Sequence, residues 1–449
     1  MGKKVALHNL GCKVNAYETE AMQEMLEQAG YEIVPFKEGA DIYVINTCTV
    51  TNIADRKSRQ MIHRAKKMNP EAIVVAAGCY VQAQAEHGEM DPCIDIVIGN
   101  NKKKDLISIL EQYSREVQEE AIEKAEEATE QLQEVIDINR TKEYEELQLT
   151  KAGEHTRAYI KVQDGCNQFC TYCIIPYARG RVRSRSMENV LAEVQELAEH
   201  GYKEIVLTGI HLSSYGIDLE DTDLLKLILE VHEVKGIERI RLGSLEPRII
   251  TEKFAKTIAE LPKLCPHFHL SLQSGCSETL RRMNRRYTAE EYYEKCELLR
   301  KYFEYPALTT DVIVGFPGET EEEFEASRAF VDKVDFYETH IFKYSKREGT
   351  KAAVMENQIP EQVKSERSNV LIELGCKKKK EYEAFFVGKT VDVLIEERII
   401  LDGKEYWTGH TKEYIRVVTE SEENLENQSV NCEIGTSLVQ DFMFAQIIR

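Results

Sequence analysis

Apolar positions along the chain follow two periods in turn, and the alternation occurs twice. Early in the chain, short apolar runs over 3–8, 41–45, 72–77 and 94–98 have the length and β-branched content of buried strands. The stretches between them, 18–28, 53–68 and 102–112, carry apolar residues at helical spacing. That order predicts a small parallel sheet covered by helices. The alternation restarts with strand runs over 158–163, 204–208, 238–242, 268–272, 308–314 and 337–342, again with helical patterns between them. Six βα units in sequence predict a parallel sheet curled into a partial (β/α)6 barrel, with its chemistry at the carboxyl ends of the strands.

The remaining segments differ in kind. Beyond Phe386, β-rich runs over 390–396, 405–410, 415–419 and 430–434 predict a small antiparallel barrel. Barrels of this size often carry oligonucleotides, and a cap on the larger domain is the other reading. Between the two alternating regions, 111–146 is rich in Glu, Gln and Lys, lacks Gly and Pro, and has only sparse apolar positions such as Val117, Ile122, Leu132 and Val135. It reads as an exposed helical linker. The expected organisation is therefore α/β: an N-terminal parallel-sheet domain over 1–112, an acidic helical linker over 113–150, the partial barrel over 151–385, and the small β-barrel over 386–449.

Composition bounds the class. A chain of 449 residues with 42% hydrophobic content has room for two or three packed cores. The start, Met1 to Leu10, has no apolar segment of signal-peptide length, and no run approaches a membrane span. Twelve cysteines in such a chain are expected to be reduced thiols in the cytoplasm, available for metal rather than for disulfides. The net charge of −20 argues against a nucleic-acid partner, but 111–146 alone holds 13 acidic and 4 basic residues. Basic clusters stand elsewhere, at Arg56–Lys67, at Arg179, Arg181, Arg183 and Arg185, at Arg281–Arg286 and at Lys377–Lys380.

The chemistry is concentrated in cysteines. Directly after the strand run at 158–163, Cys166, Cys170 and Cys173 form a C-x3-C-x2-C loop. Three thiolates can hold one face of a four-iron four-sulfur cluster and leave the fourth iron open, whereas closed electron-transfer clusters normally take four cysteines. A zinc knuckle would need a second C-x2-C, and a thioredoxin-like pair would leave Cys166 idle. Cys12, Cys48 and Cys79 each fall just past one of the first three strands, where open α/β sheets bind ligands, so they are expected to converge on one edge as a second three-thiolate site. Cys265, Cys276, Cys296, Cys376 and Cys432 read as small buried hydrophobes, with Cys93 undecided.

Leu10-Gly11-Cys12-Lys13-Val14-Asn15, Asn46-Thr47-Cys48-Thr49-Val50-Thr51, Ala76-Ala77-Gly78-Cys79-Tyr80 and the segment from Val162 to Gly180 together resemble the radical S-adenosylmethionine methylthiotransferases. The resemblance covers nearly the whole chain and implies an N-terminal methylthiotransferase domain, a radical core and a C-terminal TRAM domain. The Cys-Lys-Val-Asn form is similar to the branch that acts on N6-threonylcarbamoyladenosine in tRNA, rather than on isopentenyladenosine or a ribosomal-protein aspartate. What it implies is methylthio insertion at carbon 2 of that nucleoside beside the anticodon. Two 4Fe-4S clusters are implied, a radical-generating one on Cys166, Cys170 and Cys173 and an auxiliary, sulfur-carrying one on Cys12, Cys48 and Cys79. S-adenosyl-L-methionine would serve as methyl donor and as radical source, the cofactor carrying the difficult chemistry while the protein positions it. Its expected contacts are Thr208 and Gly209, Ser271 and Gln273, and the backbone at Val314 and Gly315. The expected partners are tRNA and a low-potential electron donor, for a monomer with no membrane association. Arg179, Arg181 and Arg183 are candidates for the substrate's carboxylate, with surface salt bridges as their other explanation. A closed electron carrier would need a fourth ligand per cluster, and an RNA-binding module without chemistry would not need six cysteines at strand ends.

Overall fold

The computed structural model describes residues 2–85, 88, 90–123, 131–150 and 156–448, with 118–123 described as backbone only. Six parallel strands open the chain: β1 (Lys4–Asn9), β2 (Glu32–Ile33), β3 (Ile42–Thr47), β4 (Ile73–Gly78), β5 (Ile96–Ile98) and β6 (Leu132–Glu134). They are ordered β2-β1-β3-β4-β5-β6. Both faces are covered, which is why these strands read as continuous apolar runs. On one face Val5, Val44, Val75 and Ile96 pack against Met22, Leu26, Leu106 and Leu110 from the helices Lys13–Gln28 and Leu106–Glu123. On the other, Ala6, Tyr43, Ile45 and Val74 meet Ile62 and Ala65 of the helix Asn52–Met68.

The second alternating region contains β7 (Arg157–Asp164), the two-residue β8 (Arg183–Ser184), β9 (Glu204–Gly209), β10 (Arg239–Leu242), β11 (His267–His269), β12 (Ala307–Val314) and β13 (Glu338–Lys343). The sheet β10-β9-β7-β8 and the sheet β11-β12-β13 are stitched by single bridges at Ile240–Leu264 and Leu245–Leu270. β7, β9, β10, β11, β12 and β13 thus form the expected six-stranded parallel partial barrel. Its outward side chains, among them Ile160, Leu207, Ile240, Leu270 and Val312, make the largest core of the molecule. In register on the opposite face stand Arg157, Glu204 and Arg239, then Tyr159, Val206 and Arg241, so the lumen is mostly polar.

The chain ends in a closed barrel of β14 (Thr390–Leu401), β15 (Lys404–Thr411), β16 (Arg416–Thr419), β17 (Ser429–Val439) and β18 (Phe442–Ile447), ordered β14-β15-β16-β18-β17. It is not wholly antiparallel as expected, because β16 pairs with β18 in parallel. A ring of five strands cannot alternate direction all the way round, so one parallel pair is required. The barrel is locked to the base of the larger domain. Arg239 donates to the His410 and Asp392 carbonyls, and Arg241 to those of Lys412 and Thr411.

The acidic segment departs from the expected exposed helical linker. A helix is described as far as Glu123, 124–130 lie outside the described residues, and Leu132–Glu134 pairs with β5 as the edge strand of the first sheet. Ile138, Leu147 and Leu149 are buried, the last two against Tyr17 and Ala21. A few apolar side chains suffice there because an edge strand draws its remaining stability from backbone pairing. Ile122 lies in the part described only as backbone. Cys376 is exposed on the long helix Glu361–Ala384 and Cys276 is half-buried, so neither is the core residue expected, whereas Cys265, Cys296 and Cys432 are buried. No helix among the described residues is long and apolar enough to cross a membrane.

Candidate active site

β1, β3 and β4 are neighbours in the first sheet, and Cys12, Cys48 and Cys79 follow their carboxyl ends. Adjacent strands lie about 4.8 Å apart, so the three cysteines share one edge. Gly11 lets them approach: its φ is +112°, and a Cβ there would lie 2.9 Å from both Cβ and Sγ of Cys48. Asn15 fastens the turn by donating to the Leu10 carbonyl at 2.7 Å and the Thr47 carbonyl at 3.0 Å. Burial, reinforced by the neighbouring Cys79, pushes the Cys48 thiol up to about 12.

The C-x3-C-x2-C loop springs from the end of β7. Gly165, at φ +71°, passes so close to the Arg181 carbonyl that a Cβ would sit 1.8 Å from its oxygen. The Cys166 amide donates to the Gly180 carbonyl, and the Cys173 amide to that of Cys170. Thr171 donates from its hydroxyl to the Arg282 carbonyl at 3.0 Å, and Asn284 from its amide to the Phe169 carbonyl at 3.0 Å. Arg285, nearly buried, donates to Cys170 Sγ at 3.3 Å and to the Tyr287 hydroxyl at 2.9 Å. Burial pushes the Cys166 thiol up to about 11 and, with Cys170 beside it, the Cys173 thiol up to about 12.

A buried charge network joins the two cysteine sites. Arg179 follows the short helix Ile175–Ala178, just beyond the loop. Its Nε donates to Cys79 Sγ at 3.1 Å, Nη1 to Glu18 at 2.7 Å and to Asp164 at 3.2 Å, and Nη2 to Asn15 at 2.7 Å. Glu18 also receives Lys161 at 2.8 Å and Lys103 at 3.2 Å, and Asp164 receives Lys161 at 2.6 Å. Burial alone would raise the Glu18 carboxyl, but Arg179, Lys103 and Lys161 outweigh it and hold it well below the usual carboxylate range. Arg179 and Arg183 are therefore not surface residues: both are fully buried, and only Arg181 is exposed, stacked on the Phe169 ring at 4.4 Å. Arg179, Glu18, Asp164, Arg285 and Tyr287 carry the site's second layer without having been assigned that role from the sequence. The only sequence cue was the i, i+3, i+6 placement of Cys12, Asn15 and Glu18 around the first helical turns.

The proposed cofactor contacts stand at the carboxyl ends of the barrel strands. Thr208 and Gly209 end β9, Ser271 and Gln273 follow β11, and Val314 ends β12 with Gly315 directly after it. Among the described residues, the side chains of Thr208, Ser271 and Gln273 have no hydrogen-bond partner, which leaves them free to meet a ligand. The Val314 carbonyl accepts from the Tyr344 amide and the Gly315 amide donates to Glu319, so this backbone is already engaged.

In neither cysteine trio do the three Sγ atoms all lie within 4.8 Å of one another. Three sulfurs bound to one zinc ion at ~2.3 Å would be about 3.8 Å apart. Neither trio is therefore drawn together around a single ion.

Comparison with known proteins agrees with this layout. The model of the radical SAM superfamily matches residues 160–331, and that of uncharacterized protein family UPF0004 matches residues 4–99. The threonylcarbamoyladenosine tRNA methylthiotransferase MtaB of Bacillus subtilis is 42% identical over 432 residues, 96% of this chain and 93% of that protein. The chain belongs to the radical S-adenosylmethionine methylthiotransferases. A tRNA-2-methylthio-N(6)-dimethylallyladenosine synthase of Thermoanaerobacter pseudethanolicus is 39% identical over 88% of this chain and 83% of its own length. TsrM of Kitasatospora setae, a radical S-adenosylmethionine methyltransferase, shares the fold with a TM-score of 0.54 at 16% identity, covering 79% of this chain and 74% of its own. Membership in this methylthiotransferase family brings S-adenosylmethionine and a 4Fe-4S cluster as cofactors.

Proposed function

We propose that this methylthiotransferase converts N6-threonylcarbamoyladenosine beside the tRNA anticodon to its 2-methylthio derivative. The observation that carries the reading is the 42% identity to the Bacillus subtilis MtaB protein along 96% of the chain. Two 4Fe-4S clusters serve the reaction, one on Cys166, Cys170 and Cys173 and the other on Cys12, Cys48 and Cys79. When bound, the clusters and S-adenosylmethionine supply the radical, the methyl group and the transferable sulfur that an unactivated aromatic carbon requires.

The chain's own residues position and enclose. Asn15 and Gly11 hold Cys12 against Cys48. Arg179 ties Cys79 to the strand β7, from which the other cysteine loop springs, and so fixes the two sites relative to each other. Thr171, Asn284 and Arg285 clamp the C-x3-C-x2-C loop over the barrel mouth. Thr208, Ser271 and Gln273 offer free polar groups to S-adenosylmethionine. The closed C-terminal barrel serves as the tRNA-holding module, a low-potential protein donates electrons, and the enzyme works as a monomer.

The test is an anaerobic competition between tRNA bearing threonylcarbamoyladenosine and tRNA bearing isopentenyladenosine, with nucleoside products read by mass spectrometry. Preferential modification of the first is expected. Preference for isopentenyladenosine would overturn the substrate assignment and leave the enzyme class standing.

A further inference from the structure

We propose that His63, Asp91 and Cys93 form a binding site for one zinc ion, on the edge of the first sheet away from the auxiliary cysteines. They are a group of three metal-donor side chains, among the described residues, whose ligand atoms all lie within 4.8 Å of one another. Neither cysteine trio of the active site meets that measure. His63 stands on the exposed face of the helix Asn52–Met68, and Asp91 and Cys93 lie in the turn that leads into β5. That turn is at the amino ends of the parallel strands, whereas Cys12, Cys48 and Cys79 follow the carboxyl ends. The six residues of β4, at ~3.3 Å each, put about 20 Å between the two edges.

The ligands are held in place from behind. Asp91 accepts the Cys93 amide through Oδ1 at 3.0 Å, which leaves Oδ2 facing His63 Nε2 at 2.6 Å. The Ile94 amide donates to the Asp91 carbonyl at 3.0 Å, and the Gln131 side chain donates to the carbonyls of Asp91 and Ile94 at 3.2 and 2.7 Å. Pro92 fixes φ between the two ligands, and Ile94 is buried in the core. Lys66, on the same helix as His63, is taken up by Asp95 at 2.7 Å and does not cancel the charge of Asp91. An ordinary ion pair accounts for His63 and Asp91, but not for the sulfur of Cys93 that completes the trio.

The donors select the metal. One imidazole nitrogen, one carboxylate oxygen and one thiolate sulfur suit zinc, which takes all three with bonds of ~2.0–2.3 Å, whereas magnesium and calcium take oxygen. Three protein ligands leave the fourth tetrahedral position to water. The His63 side chain is 57% exposed, so an ion can enter from solvent and the ring can swing outward. A small swing opens the 2.6 Å contact to the ~3.3 Å between two ligands of one zinc ion. Bound there, zinc clips the helix to the turn before β5 and stabilises the folded domain by mass action.

The experiment uses the anaerobically reconstituted holoenzyme, in which the clusters occupy the other candidate ligands, with iron and sulfide counted before and after. Wild type, His63→Ala, Cys93→Ser and, as a control, Cys376→Ser at an exposed cysteine are titrated with Zn²⁺ against a chromophoric chelator. Zinc K-edge absorption reads the ligands. The wild type and Cys376→Ser are expected to hold one zinc per chain with a single sulfur at ~2.3 Å. Affinity should fall at least ~10-fold in His63→Ala and in Cys93→Ser, since even loss of an outer-shell partner costs that much. His63 is exposed, so its variant tests the site without disturbing the core. A wild-type holoenzyme that retains no zinc overturns the inference and leaves His63 and Asp91 as a surface ion pair. Zinc held equally well by all four proteins places the ion elsewhere and overturns it too.

Discussion

Replacing Arg179 with glutamine removes one guanidinium from a network in which four cations, Arg179, Lys161, Lys103 and Arg183, surround two carboxylates, Glu18 and Asp164. All six side chains are at most 2% exposed, so water does not take over the lost contacts. Breaking a buried ion pair commonly costs 3–5 kcal/mol. Glu18 keeps two lysines and Asp164 keeps Lys161, which places the expected loss at the lower end, about 3 kcal/mol. The electrostatic effect on the cysteine edge is separate. A unit charge about 4 Å from a sulfur is worth about 4 kcal/mol at an effective dielectric of 20, and spreading the cluster's charge over several atoms reduces this to about 2 kcal/mol. For a one-electron couple that is about 90 mV, at 59 mV per tenfold. Arg179→Gln, reconstituted anaerobically and titrated potentiometrically by EPR, should therefore show one cluster potential lowered by about 90 mV and the other nearly unmoved. Urea unfolding of the metal-free protein reads the stability loss independently. Unmoved potentials in a variant that retains full iron would refute the coupling between Arg179 and the auxiliary site.

Alanine at Cys166, Cys170 and Cys173 should abolish cleavage of S-adenosylmethionine and leave about half the iron, whereas alanine at Cys12, Cys48 and Cys79 should retain cleavage and lose methylthio transfer; full iron in the second variant would dismiss the auxiliary cluster. The C-terminal barrel cannot simply be deleted, because Arg239 and Arg241 would lose the groups they donate to, so its RNA role is better tested at exposed Arg398 and Arg416, which lie over Trp407 and Phe442. If these arginines meet phosphates, alanine at both should reduce the salt slope of tRNA binding by about 2, and an unchanged slope would favour a purely structural barrel. Burial holds the Glu20 carboxyl up to about 7 against an ordinary 4.5, so the folded chain keeps a proton that the unfolded chain releases, and stability falls as pH rises through that window. Glu20→Gln should accordingly stabilise the metal-free protein by about 2 kcal/mol more at pH 8 than at pH 5 in urea titrations, after allowance for partial solvent contact; equal gains at both would count against a buried neutral acid.

The elements and the cysteine edge were legible because each rests on local information. Strands covered on both faces show as apolar runs, and Cys48 and Cys79 each follow a strand by one residue, so βα topology alone brings them together with Cys12. The acidic segment was misread because Leu132 and Val135 are too few to signal a strand, although backbone pairing to β5 makes Leu132–Glu134 one. The parallel β16–β18 pair follows from ring closure, which no single strand encodes, and the end strand β18 went unread. The charged residues of the site were the least legible. Arg179 sits in a run of arginines that looks solvated, and its partner Glu18 is 161 positions away. Glu18 lies on the first helix, in a stretch where nothing in the periodicity marks it as buried. Three cations from distant segments meet it. What a buried charge does is decided by the partners that the rest of the fold brings to it, so its function becomes readable only when those partners are in place.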